Sequence, residues 1–394
     1  MFSLRFIQAG IHNCPAYFFI AFPVDGGAAP AWSTGWQAAG GRGFTRDSAK
    51  RAAAFEAIER ACLITEGSAD PRVIEAPEPA ARCFGVRELT NYSAEQMTAA
   101  QAKGNYTAIS DCGNSVDNLW ISGRPLDEGS EVFLSATAVL FGEDARLGLG
   151  SMFSTSTGAA LRDTIAGAER HAVWELVERD AVAAWWYNGL PMPRVPAEVV
   201  SDVLPINLSQ WLGGRARGTY WLALATDLPG HAVVAISARR DGTRPAIGAA
   251  YGLERAGALC AATLEMLQGE IALGHMRAAQ EGDDPPPVPP LLKWSDATNV
   301  FDVGYLRGTE EAPLRPDTTH EALVAALLRA SIDVYFADLT RPEFQIPVVK
   351  AVSPQLRDWH PQFGPGRLYD LPVALGLQSG PKSQDALNPI PFVI

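Results

Sequence analysis

With 394 residues, 47% of them hydrophobic, the chain has ample material for a large core, and its length alone suggests about two or three domain-sized units. A net charge of −12 and the lack of any Lys/Arg cluster exclude a nucleic-acid-binding surface. No stretch reaches the roughly 20 apolar residues a membrane helix needs, and Cys14, Cys62, Cys83, Cys112 and Cys260 lack zinc or disulfide-framework spacing, which fits a reduced cytoplasm.

Residues 1–40 predict one or two strands. The apolar segment AYFFIAFPV, followed by GGAAPA, imitates a signal peptide, but Asn13 and Pro15 interrupt it and its alternation favours a strand. Gly40, Gly41 and Gly43 predict a tight turn into a helix opened by Thr45 and Asp47. Between 65 and 150 short strands are expected, among them Glu131 to Phe141, before the Ser/Thr loop SMFSTSTGAA leads into a second helix. Strands TYWLALATDL and HAVVAISARR precede a third long helix bearing Glu265 and Gln268. The proline run DDPPPVPP is an exposed loop, Thr318 and Glu321 form a capping box for a helix through Arg329, and IDVYFADL and IPVVKAV are strands. Helices and strands in this irregular order predict an α/β fold (mixed α+β) with mixed sheets rather than a doubly wound one.

Two helices share a feature their surroundings do not explain. Glu56, Glu59 and Arg60 in AAAFEAIERACLI, and Glu175, Glu178 and Arg179 in HAVWELVERDAVAAWW, fall on one face of each helix, with apolar residues covering the remainder. Such trios are ordinarily surface salt-bridge ladders. The apolar flanks and the repetition favour enclosure instead, and enclosed carboxylates call for cations because leaving water costs several kcal/mol unless the charge is compensated. Magnesium on a nucleotide would supply them. Trp185 and Trp186 read as core or interface anchors.

The order of these segments resembles the YcaO family of ATP-dependent amide-activating enzymes. GRGFTRDSAKRAAAFEAIER is similar to that family's first nucleotide segment, and TSTGAALRDTIAGAERHAVWELVERDAVAAWWYN to its second. The helix with ExxQ, the stretch PVVKAVSPQLRDWHPQFGPGRLYDLPVALG and the ending LNPIPFVI are similar to the azoline-forming cyclodehydratase branch of thiazole/oxazole peptide biosynthesis. The resemblance implies one YcaO domain over 1–394, with the main ATP-binding segments in 38–190 and the rest of the core and a proline-containing tail in 218–394. It implies that Glu56, Glu59, Glu175 and Glu178 hold Mg2+ on ATP, with Glu265 joining the nucleotide site. Arg60 and Arg179 would neutralise phosphate and, with Pro389 and Pro391 of the tail, serve the reaction. Departures from the family pattern fall at Ala52, Ala160, Gly167 and His171, where it has Ser, Ser, Glu and Gln, and at Val393, where a last proline would stand. Either a one-turn adjustment lets Asp163 or Glu169 replace the missing carboxylate, or one magnesium position is simply poorer.

The implied reaction is attack of a Cys, Ser or Thr side chain of a ribosomally made precursor peptide on the preceding backbone carbonyl. The carbonyl oxygen is phosphorylated and leaves as phosphate, giving a thiazoline or oxazoline. The nucleophile is the substrate's, and the sequence identifies no base. Leader capture implies an E1-like or leader-peptide-binding partner, a flavin dehydrogenase often accompanies such systems, and a homodimer follows by analogy. Two alternatives remain at this level: an inactive YcaO-fold scaffold, favoured by the altered positions, and thioamide or amidine formation through the same phosphorylated intermediate.

Overall fold

The computed structural model describes residues 3–24, 38–75, 77, 80–103, 119–143, 153–282 and 284–392. GGAAPA, Cys112 and Val393 lie outside the described residues. In chain order the strands and three long helices are β1 (Leu4–Ala9), β2 (Tyr17–Pro23), β3 (Ala39–Gly43), α1 (Arg46–Leu63), β4 (Val73–Ile74), β5 (Arg82–Phe84), β6 (Trp120–Pro125), β7 (Val132–Ser135), β8 (Ala159–Leu161) and α2 (Ile165–Asn188). There follow β9 (Pro193–Arg194), β10 (Arg217–Leu224), β11 (His231–Arg239), β12 (Ala246–Gly252), α3 (Arg255–Gln280), β13 (Thr309–Glu311), β14 (Tyr335–Asp338) and β15 (Val348–Val352). They build an antiparallel sheet β1-β2-β3, a mixed sheet β12-β11-β10-β9-β13, and a larger mixed sheet β5-β7-β6-β14-β15-β8 with β4 on β6. The fold is mixed α/β, as expected.

The segment that imitates a signal peptide is strand β2, paired with β1 and β3. The expected glycine turn is instead strand β3. Its glycines serve close approach: a Cβ on Gly41 would lie 2.1 Å from the backbone nitrogen of Ala53 and 2.3 Å from the Ala49 carbonyl oxygen. Ala49, Ala53, Ala57 and Ala61, one turn apart, are the buried stripe of α1, so helix backbone rests almost directly on strand backbone. The same device seats α3, where a Cβ on Gly248 of β12 would lie 2.1 Å from the Met266 nitrogen.

Thr45 caps α1 as expected, its hydroxyl accepting from the Ser48 amide. Thr164 caps α2, and Gly189 ends it in the left-handed region, φ 60°. Three expectations shift. Glu131 to Phe141 is not one strand, because β7 gives way to a helical turn, Ala136–Val139. The cap of the helix His320–Arg329 is Thr319 rather than Thr318, whose amide donates to the Leu253 carbonyl. Of DDPPPVPP, residues 284–289 are neither helix nor strand, and Pro290 opens the helix Pro290–Ala297 at its first turn, where a missing amide costs nothing.

The largest core lies around α2, which buries Trp185, Trp186 and Tyr187 against β10, β11, β12, β15 and the helix Arg367–Ala374. Among the described residues no helix is long and apolar enough to cross a membrane.

Candidate active site

α1, α2 and α3 present their polar flanks to one cavity of about 720 Å3, closed on another side by Trp359 to Pro361 and by Pro391 and Phe392 of the tail. Both Glu-x-x-Glu-Arg trios line it, together with Glu265, Gln268, Arg42, Arg162 and His171. Five carboxylates and four guanidinium groups therefore share one partly enclosed volume.

Each carboxylate has a defined anchor. Glu56 accepts from Arg60 at 2.5 Å, and Arg60 also donates to the Ala38 carbonyl at 2.9 Å. Glu59 accepts from the Leu161 amide at 3.1 Å, which ties α1 to β8. Arg179 donates to Glu175 at 2.6 Å and to Glu178, whose second oxygen accepts from the Tyr251 amide at 3.0 Å. Glu265 accepts from Arg42 at 2.9 Å and from the Ala249 amide at 2.7 Å, while Gln268 accepts from Arg42 at 3.1 Å. Among the described residues no three carboxylates, imidazoles or thiols are gathered into a ready-made metal cage.

Crowded like charges show in the acidities. Burial, then Glu175 and Glu56, push the carboxyl of Glu59 well above the usual range. Burial pushes Glu178 up to about 8 against the pull of Arg179, with Glu265 and Glu175 adding to the rise. Glu175 is raised by burial in spite of Arg179. A dicationic ligand entering here would relieve that repulsion and release protons. Hard oxygen donors in this number suit Mg2+ bound together with phosphate oxygens, so the donor set fits the expected group.

Residues 40–357 match the family described as YcaO cyclodehydratase, ATP- and Mg2+-binding. The chain belongs to the YcaO family. Among solved structures, a heterocyclase in complex with substrate and cofactor is similar to this YcaO chain at TM-score 0.82 and 23% identity, covering 98% of this chain and 54% of that one. YcaO from Methanopyrus kandleri bound with AMPPCP and Mg2+ aligns at TM-score 0.63 and 17% identity, covering 90% of this chain and 86% of that one. The E. coli microcin synthetase McbBCD complex gives TM-score 0.60 and 16% identity, with 90% and 88% covered. These are likenesses of fold, and this chain spans about half the length of the heterocyclase chain. No protein of curated function matches it.

Within this YcaO chain the tail lies where the site residues are. Trp186 Nε1 donates to the Ile390 carbonyl at 2.6 Å, Asn388 N donates to the Tyr187 carbonyl at 2.7 Å, and Phe392 packs among Trp185, Trp186 and Trp359. Pro391 borders the cavity, whereas Pro389 is exposed and does not line it. WWYN thus acts as the clamp on the tail as well as core.

At the altered positions the structure corrects one expectation. Neither Asp163 nor Glu169 turns into the cavity: Glu169 pairs outside with Arg124 at 2.5 Å. The place is taken by Arg162, which donates to His171 Nδ1 at 2.8 Å. Burial first, then Arg162, Arg170 and His320, push His171 down to about 4, so its ring is neutral and accepts. Sequence reasoning also missed Arg42, Trp359, His360 and Phe392. Arg42 stands inside the GRGF segment, Trp359 and His360 inside RDWHPQF and Phe392 inside LNPIPFVI, so each lies in a stretch that carries the resemblance, but only the tertiary fold shows that they meet at the cavity.

Proposed function

We propose that this chain is an ATP-dependent cyclodehydratase that forms thiazoline or oxazoline rings from Cys, Ser or Thr of a ribosomally made precursor peptide. The observation that carries this reading is the meeting of both trios, Glu265 and the proline-bearing tail at one cavity. The family description names ATP and Mg2+ binding, and the similar McbBCD complex and the heterocyclase with bound substrate support a peptide substrate and protein partners. The partner we expect is E1-like or leader-binding, with a flavin dehydrogenase for later oxidation.

In this mechanism Glu56, Glu59, Glu175 and Glu178 would hold Mg2+, which would supply positive charge to offset that of the phosphates. Arg60 and Arg179 neutralise phosphate, for which a planar five-donor fork is suited. Glu265 and Gln268 keep Arg42 at the cavity wall. Phe392 and Trp359 close one side against water, and Pro391 keeps the tail extended. The chain's part is mainly positioning and electrostatic stabilisation.

The test is to incubate the chain with its partner, precursor peptide and ATP-Mg2+, then compare rings formed, as loss of one water each, with ADP released. Equal counts support the proposal. One observation favours a second reading: Ala52, Ala160 and Gly167 lack the side chains the family has there, and Arg162 and His171 rather than a carboxylate line the cavity at that corner. Tight partner binding with neither ring nor ADP would select the inactive scaffold.

A further inference from the structure

Ring closure, on the reading just given, requires a proton to leave the attacking side chain, and none of the trio carboxylates is poised to take it, each being engaged by a guanidinium or an amide. A different group meets the requirement. His360 borders the same cavity with its side chain 47% exposed, while its partner Asp358 is only 10% exposed. Asp358 Oδ1 accepts from His360 Nδ1 at 2.8 Å and from the His360 amide at 3.0 Å. Asp358 Oδ2 accepts from the Thr155 hydroxyl at 2.8 Å, and the Thr155 carbonyl accepts at 2.5 Å from Lys350 Nζ, a lysine 2% exposed on strand β15.

Burying a lysine and an aspartate is expensive, and here the two carry a continuous line of hydrogen bonds from the sheet to the cavity wall. Burial alone would raise the carboxyl of Asp358, but the His360 ring and amide and the Thr155 hydroxyl outweigh it and hold it well below the usual range. An ionised carboxylate only accepts, so His360 Nδ1 carries a hydrogen and Nε2 is the ring nitrogen not engaged by Asp358. Nε2 makes no hydrogen bond among the described residues. A base oriented by a buried carboxylate is the arrangement that lets imidazole take a proton from a hydroxyl or thiol.

We propose that His360 is the general base for ring closure and that Asp358, braced by Thr155 and Lys350, is its positioning residue. The inference rests on the cyclodehydratase reading. As the substrate Sγ or Oγ bonds to the carbonyl carbon, Nε2 takes its proton and the carbonyl π pair moves to oxygen. That oxygen displaces ADP from the γ-phosphorus of ATP. The amide nitrogen then gives up its proton to solvent as the carbon–oxygen bond breaks, phosphate leaves and C=N forms, while the imidazolium returns its proton to solvent. No oxidant or reductant is needed.

The experiment uses the chain with its partner, precursor and ATP-Mg2+, comparing the parent with His360→Ala, His360→Gln and Asp358→Asn. His360→Ala and His360→Gln should each lower kcat by about 10²–10⁴-fold while leaving the affinity for AMPPCP-Mg2+ within about twofold. Imidazole added to His360→Ala should restore turnover in proportion to its concentration. Asp358→Asn should lower kcat by a smaller factor. A kcat for His360→Ala within about threefold of the parent overturns the proposal, as does recovery by His360→Gln without recovery by imidazole, which would mark a structural loop contact. A parent complex that makes no ring overturns the cyclodehydratase reading instead, a distinct outcome visible before any variant is made.

Discussion

Trp359 lies over the guanidinium of Arg179, with Cζ 3.3 Å from the ring centroid, and Phe392 of the tail packs against the other surroundings of the same indole at 5.2 Å. The residue proposed to face phosphate is thus fixed by two carboxylates along its edge and one aromatic ring on its face. A partly desolvated contact of this kind is worth about 0.5–2 kcal/mol. Trp359→Ala should therefore weaken binding of AMPPCP-Mg2+ by about 2- to 30-fold, and Trp359→Phe should recover most of the loss, as read by calorimetric titration.

The charge crowding predicts a pH-dependent stability with a definite sign. Folding raises the Glu178 carboxyl from 4.5 to about 8, so its proton is bound more tightly in the folded protein. The associated stability is complete below pH 4.5 and is lost as pH rises through about 8. Glu178→Gln keeps the volume and removes the charge. It should raise the Tm of the nucleotide-free protein at pH 8.5, by about 1 °C for each kcal/mol recovered, while suppressing turnover. A Tm unchanged across pH 5–9 in both proteins would refute the assignment.

Arg162 brings a fixed positive charge beside Glu59 and Glu175, whose charges it partly offsets. Arg162→Gln removes a cation that competes for the same carboxylates. Mg2+ should then be required at lower concentration for nucleotide binding, by about 3- to 10-fold, one close charge screened as in water being worth on the order of 1 kcal/mol. Titration with Mn2+ followed by electron paramagnetic resonance reads this directly, without turnover.

Gly41→Ala tests the seating of α1. The added methyl would overlap backbone atoms that have no rotamer with which to yield. A loss of about 1–3 kcal/mol in urea unfolding is expected, with weaker nucleotide binding, because Glu56 and Glu59 move with the helix. Ala substitution at Gly257, where a Cβ meets nothing within 4 Å, should be tolerated and serves as the control.

Much of the site was legible in the sequence because its information is local. The spacing in Glu56, Glu59, Arg60 and in Glu175, Glu178, Arg179 fixes which side chains share a helix face, and the apolar residues between them fix which face is turned inward. Glycines were harder to interpret. Gly40, Gly41 and Gly43 suggest a turn by composition, and only the pressure of α1 on β3 shows that the missing side chains make room rather than a bend. Likewise Glu131 to Phe141 reads as one strand, yet Ala136 begins a helical turn that buries all four of its residues.

By itself the sequence determined the family, the α/β character and the two acidic helices, since each rests on residue type at a short spacing that local geometry converts into a face. Only the tertiary structure decided that those faces meet at one cavity, that Arg162 and His171 rather than Asp163 or Glu169 fill the altered corner, and that His360 and Trp359 stand beside Arg179. Those neighbours lie far apart in the chain, and no local periodicity encodes a contact made when α2, the β15 strand and the tail close on one another.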